Sequence, residues 1–147
     1  MTKFLLAVHV LAAIVAVGPV TVAASMFPPV ARRVLAAPPD GSGTGTLRLL
    51  HRICRVYALV GVVVPVFGFA TAGEMGVLGS AWLITSIALT AVAAVVLGAL
   101  VLPAQSALVE GRVANPARLA AFTGVFNLLW ATVTVLMIVR PGSSTGA

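Results

Sequence analysis

Acid is almost missing from this chain. Asp40, Glu74 and Glu110 are its only carboxylates, and each lies in a stretch interrupted by glycine or proline, away from the long apolar runs. No carboxylate pair, phosphate-binding glycine loop or zinc helix motif can be read. A hydrolytic constellation is thereby excluded, and so is carboxylate-driven transport through mid-membrane. Cysteine occurs once, as Cys54, which excludes an intramolecular disulfide framework and any Cys-x-x-Cys metal site. Charge of either sign is scarce, 8% of residues, against about 25% in a soluble domain. A chain of 147 residues cannot build a water-facing surface from so little charge.

What is present is apolar and basic. Hydrophobic residues make up 61% of the chain, and mean hydropathy is +1.15. Four runs approach the ~20 residues that a helix needs to cross the hydrocarbon core: 4–27, 53–72, 81–102 and 119–139. Lipid supplies no hydrogen bonds, so each run is expected to be a helix. Pro28-Pro29 and the run from Pro38 to Gly45 mark a first loop, Gly73-Glu74-Met75-Gly76 a tight second connection, and Pro103 with Glu110–Pro116 a third. The expected fold class is all-α: one antiparallel, up-down bundle of four transmembrane helices over residues 1–140. The tail 141–147 has nothing to bury and is expected to be disordered.

Net charge is +6. In a soluble protein that would suggest nucleic acid, but here the arginines sit at the edges of the apolar runs. No nucleic-acid partner is expected, and anionic lipid headgroups are the natural counterpart. Arg32, Arg33, Arg48, Arg52, Arg55, Arg112 and Arg118 flank the first and third loops, whereas the opposite side carries only Lys3 and Arg140. That bias puts the first and third loops in the cytoplasm and both termini outside. The location expected is the bacterial plasma (inner) membrane, multi-pass. A cleaved signal peptide is the rival account of the first run, since Lys3, the apolar stretch and Val22-Ala23-Ala24 imitate its three regions. Against it, Arg32 and Arg33 follow almost at once and would have to cross.

Apolar burial does not drive helix association in lipid, so small-residue faces are expected to do so. Candidates are Ala94-x-x-x-Gly98, Ala120-x-x-x-Gly124, Gly61 with Gly68, and Ala12, Ala13 and Ala16 beside His9. Such a face would also serve a homodimer or a larger membrane complex. Pro19 and Pro65 are expected to kink their helices, and mid-span Asn127 to form an interhelical hydrogen bond.

The residues able to carry chemistry are few. His9 lies about a turn and a half below the outer surface, at 1.5 Å rise per residue. A neutral imidazole there can ligate haem iron or copper, or simply bond to a neighbouring helix. His51, Arg48, Arg52 and Arg55 share a helical face by their three- and four-residue spacing, at the cytoplasmic entry to the second run. They form a candidate anion site for lipid headgroups or for the propionates of haem b. Copper(I) could be held by Met26, His51 and Cys54 on the inner side, or by His9, Met75 and Met137 on the outer. In an up-down bundle His9 and His51 lie on the order of 20 Å apart, too far to ligate one iron together.

The segments Leu6-Ala7-Val8-His9-Val10-Leu11-Ala12-Ala13-Ile14 and Leu50-His51-Arg52-Ile53-Cys54-Arg55-Val56-Tyr57-Ala58 resemble an uncharacterised family of bacterial four-helix membrane proteins. Val17-Gly18-Pro19-Val20 through Ser25-Met26-Phe27-Pro28 gives the likeness an actinobacterial cast. The relatives of that family look like the copper-resistance protein D group and the HemJ-type protoporphyrinogen oxidases. His9 matches the first-helix histidine of the HemJ-type enzymes, Leu6 stands where they carry a lysine, and Arg52, Arg55 and Tyr57 loosely match their basic-tyrosine segment. The resemblance implies the fold and a haem or metal role for His9. It implies no reaction, and no catalytic residue is assigned. The function expected is that of a small integral membrane protein, more readily a non-enzyme, that holds haem or anionic lipid at its helix ends. The alternatives are a HemJ-like haem-dependent membrane oxidoreductase and a copper-handling permease-like protein.

Overall fold

The computed structural model describes residues 2–36, 43–112 and 115–142. Residues 37–42 of the expected first loop and 143–147 of the tail lie outside these. Every regular element among the described residues is helical: α1 (Thr2–Ala36), α2 (Thr44–Val60), α3 (Val63–Met75), α4 (Ala81–Val95), a π-helical segment Val96–Val101, α5 (Leu102–Val109) and α6 (Pro116–Val139). They form four units long and apolar enough to cross a membrane: α1, α2–α3, α4 through α5, and α6. The all-α four-helix architecture is thus present.

The helices overrun the expected runs, and the prolines explain how. Pro28 and Pro29 do not end α1, which continues to Ala36. Phe27, Pro28 and Ala31 are buried, and Ala31 and Val34 pack with Leu47 in the main core, so tertiary contact offsets the missing donors. Pro19 likewise lies inside unbroken helix. Pro65 does interrupt its span, four residues upstream. It has no N–H for the Gly61 carbonyl, which instead accepts from Val64 N at 3.1 Å, and the chain breaks at Gly61–Val62. Pro103, expected to end the third run, is absorbed by the wide turn before it. There the Leu102 N–H donates five residues back, to the Leu97 carbonyl.

Local signals settle the remaining ends. Gly76 closes α3 in the left-handed region (φ 67°), and Val77 N donates to the Ala72 carbonyl at 3.2 Å, a Schellman pattern. Asn115 caps α6 by accepting from Ala117 N at 2.9 Å, with Pro116 at the first helical position.

The spans form a closed ring. α1 packs along α2, α3 and α6; α6 packs along α4 and the π segment; α2 packs along α5. The main core fills the end of the bundle that holds the first and third loops, with Phe27, Leu50, Cys54, Val101 and Leu119 at its centre. At the opposite end a smaller cluster of Ala72, Trp82 and Leu83 ties α3 to α4. Outside both clusters the surface is apolar, with Leu11, Leu59, Leu128 and Ile138 exposed. Lipid-facing helices carry such residues without cost.

Candidate functional site

His9 is held by α3. Its Nδ1 lies 2.8 Å from the Val64 carbonyl oxygen. A carbonyl only accepts, so Nδ1 carries a proton, and in the neutral ring the lone pair is on Nε2. Gly68, one turn beyond Val64, makes room for the ring. A Cβ on Gly68 would stand 2.9 Å from His9 Cε1 and 3.2 Å from Nδ1. The glycine pair noted in the sequence therefore divides its roles: Gly61 sits at the helix break and Gly68 admits an imidazole.

The basic end separates what the spacing had grouped. α2 buries Leu47, Leu50 and Cys54, while Arg48, Arg52 and Arg55 are exposed along the other face. Among the described residues the one ion pair joins Arg112 to Glu110 at 2.7 Å, so this arginine stripe has no carboxylate partner there. His51 does not join the stripe. Its Nδ1 lies 3.0 Å from Gln105 Oε1, to which it donates. Gln105 in turn donates from Nε2 to Cys54 Sγ at 3.5 Å, and Cys54 Sγ lies 4.0 Å from the Val20 carbonyl. Gln105 and Cys54 are both fully buried. A chain of polar groups thus links α2, α5 and α1 inside the core.

Sequence reasoning missed Gln105. It falls two residues past Pro103, where the third run was expected to stop, so a core amide was read as loop. The available signal was the spacing Ala93, Leu97, Val101, Gln105, a row of four-residue steps. Three such steps overshoot three α-helical turns by about 120°, and the π segment takes up that excess between Val96 and Val101.

The copper sets do not assemble. Met26 is exposed, whereas His51 and Cys54 are engaged with Gln105. On the other side Met137 packs on the Ala72–Trp82–Leu83 cluster, and Met75 lies seven residues, or ~10 Å, beyond Gly68 along α3. Among the described residues no three His, Cys, Asp or Glu side chains gather as metal ligands. His9 and His51 engage the same span at positions 13 residues apart, Val64 and His51 itself, or ~20 Å.

At mid-span Asn127 donates from Nδ2 to Ser25 Oγ at 3.1 Å, joining α6 to α1. At the helix ends two cations lie over aromatic rings: Arg118 is 5.7 Å from the Phe122 centroid and Arg140 is 5.8 Å from that of Trp82.

No family model, curated protein or solved structure matches the chain. The likeness to the HemJ-type and copper-resistance groups therefore contributes a proposal and not a membership.

Proposed function

We propose that this chain is a small multi-pass protein of the bacterial plasma membrane that retains anionic phospholipid at its arginine-rich, cytoplasmic end. The observation that carries this reading is the stripe Arg48, Arg52 and Arg55, exposed along α2 with no carboxylate partner among the described residues. Arg32 and Arg33 are exposed at the neighbouring end of α1. A basic residue near an anionic membrane surface contributes about 1 kcal/mol, so three of them favour anionic over zwitterionic headgroups by roughly a hundredfold. In a Arg48→Gln, Arg52→Gln, Arg55→Gln variant, purified in mild detergent, co-purifying phosphatidylglycerol and cardiolipin are expected to fall to the level of phosphatidylethanolamine. Lipid extraction and mass spectrometry read this directly, and an unchanged lipid ratio defeats the proposal.

A second reading, a haem-binding protein, is supported by the state of His9. Its proton is committed to Val64, which leaves Nε2 as a pre-oriented lone pair of the kind an iron or copper ligand needs. If haem b is bound, His9 would hold it from one side, and the haem would supply one-electron chemistry. Protein produced with haem supplementation would then show a Soret band that disappears in His9→Ala. A spectrum without that band in the wild-type protein removes the haem reading, the HemJ-like oxidoreductase included, and leaves the lipid reading standing.

A further inference from the structure

A groove of about 230 Å³ runs between α1 and α6, open along one side and lined by Ser25, Pro28, Pro29, Arg32, Thr123 and Asn127. Ala120 and Gly124 of α6 also line it, and a Cβ on Gly124 would meet nothing within 4 Å, so the small-residue pair read from the sequence leaves space here. The groove is apolar in outline, yet its polar groups are left over. Thr123 is 3% exposed, and its Oγ1 has no partner. Among the described residues it shares that state with the Thr21 hydroxyl, whereas the hydroxyls of Thr71, Ser86, Thr90, Thr132 and Thr134 all donate to the carbonyl four residues back. One turn from Thr123, Asn127 spends Nδ2 on Ser25 and leaves Oδ1 buried and unpartnered. Pro28 and Pro29 have no N–H to give the carbonyls of Ala24 and Ser25. Seven residues along α1 from Ser25, ~10 Å nearer the loop end, stands the exposed guanidinium of Arg32.

The unfilled set therefore contains an acceptor (Asn127 Oδ1), hydroxyl donors (Thr123 and Ser25) and one cation. An occupant that satisfies it carries a negative charge at the loop end, and both a hydroxyl donor and an acceptor deeper in. The ester region of a diacyl phospholipid offers acceptors only. The volume suits a small polar head. We propose that this groove binds a single-chain lipid with a free glycerol hydroxyl next to a phosphate, that is, a lysophospholipid. Arg32 takes the phosphate at the loop end, Thr123 donates to a phosphate ester oxygen, and Asn127 Oδ1, one turn deeper, accepts from the glycerol hydroxyl, while the acyl chain leaves through the open side into the bilayer. The site lies apart from the α2 stripe and does not depend on it.

Native mass spectrometry of the full chain in detergent tests this with four probes: oleoyl-lysophosphatidylglycerol, dioleoylphosphatidylglycerol, monoolein and sn-glycerol 3-phosphate. The lysolipid is expected to bind one per chain, at least tenfold tighter than any of the others. Thr123→Val combined with Asn127→Leu is expected to remove that advantage. Arg32→Gln, an exposed position that leaves the fold intact, is expected to reduce the lysolipid to the affinity of monoolein. The Arg48→Gln, Arg52→Gln, Arg55→Gln variant is expected to keep it, which separates this site from the headgroup stripe. Equal binding of the diacyl lipid, equal binding of glycerol phosphate, no lysolipid uptake by the wild-type chain, or full uptake by Arg32→Gln would each overturn the assignment.

Discussion

Gly68→Ala is expected to destabilise the bundle by about 2 kcal/mol, the cost of forcing a methyl into a packed contact. The added Cβ would meet His9 Cε1 at 2.9 Å, inside any tolerable separation. The imidazole cannot simply retreat, because its Nδ1 is bonded to the Val64 carbonyl on the same helix. Relief requires either breaking that bond or parting α1 from α3. In His9→Ala the obstruction is gone, so adding Gly68→Ala to that variant is expected to cost only a few tenths of a kcal/mol. The double-mutant cycle, read by denaturant unfolding in detergent, should return a coupling energy close to the whole penalty. Additive penalties would mean that ring and glycine are not in contact. The same cycle bears on His9 as a ligand, since whatever moves the ring also moves its free Nε2.

Gln105→Ala is expected to be the more damaging change, at about 3 kcal/mol. Two effects combine. A fully buried side chain is replaced by a cavity, which typically costs 2–5 kcal/mol for large-to-small changes, about the lower half of that range being relevant where the reference state is lipid. The His51 Nδ1–H and Cys54 Sγ also lose their partner in the core. Gln105→Leu keeps most of the volume and removes only the polar contacts. Interhelical hydrogen bonds in membranes average about 0.6 kcal/mol, so this variant is expected to lose about 1 kcal/mol. Unfolding of the two variants separates packing from polarity. Reaction of Cys54, buried in the native bundle, with a membrane-permeant maleimide should quicken in the alanine variant and much less in the leucine one. Matching losses in both variants would assign the entire effect to the hydrogen bonds.

The two sites differ in how far they could be read from residue order. His9 was legible because an ionisable ring inside an apolar run is conspicuous in any sequence. Its Val64 and Gly68 partners were not, since they lie 55 and 59 positions away and their relation depends on which face of α1 meets α3. The arginine stripe was legible from its spacing. The departure of His51 from it was not, because spacing of three and four residues tolerates a ring that leans to either edge, and the choice was made by a glutamine on another span. Gln105 itself was hidden by a sound local rule: proline usually ends a helix. That rule yields here because a wide turn placed just upstream lets the carbonyls reach past the missing donor.

Residue order alone determined the class of molecule. Four apolar runs with almost no charge leave the backbone one way to satisfy its hydrogen bonds in lipid, and arginine clustering marks one end as different from the other. Tertiary packing decided which imidazole nitrogen is committed, that α1 continues through Pro28 and Pro29, and that an α1–α6 groove is left with unfilled polar atoms. The reason is that lipid solvates every face of an apolar helix about equally well. Outside α2, whose arginines mark its outer face, no apolar periodicity orients the helices, and their facing was set by where small residues and single polar groups on different spans could meet.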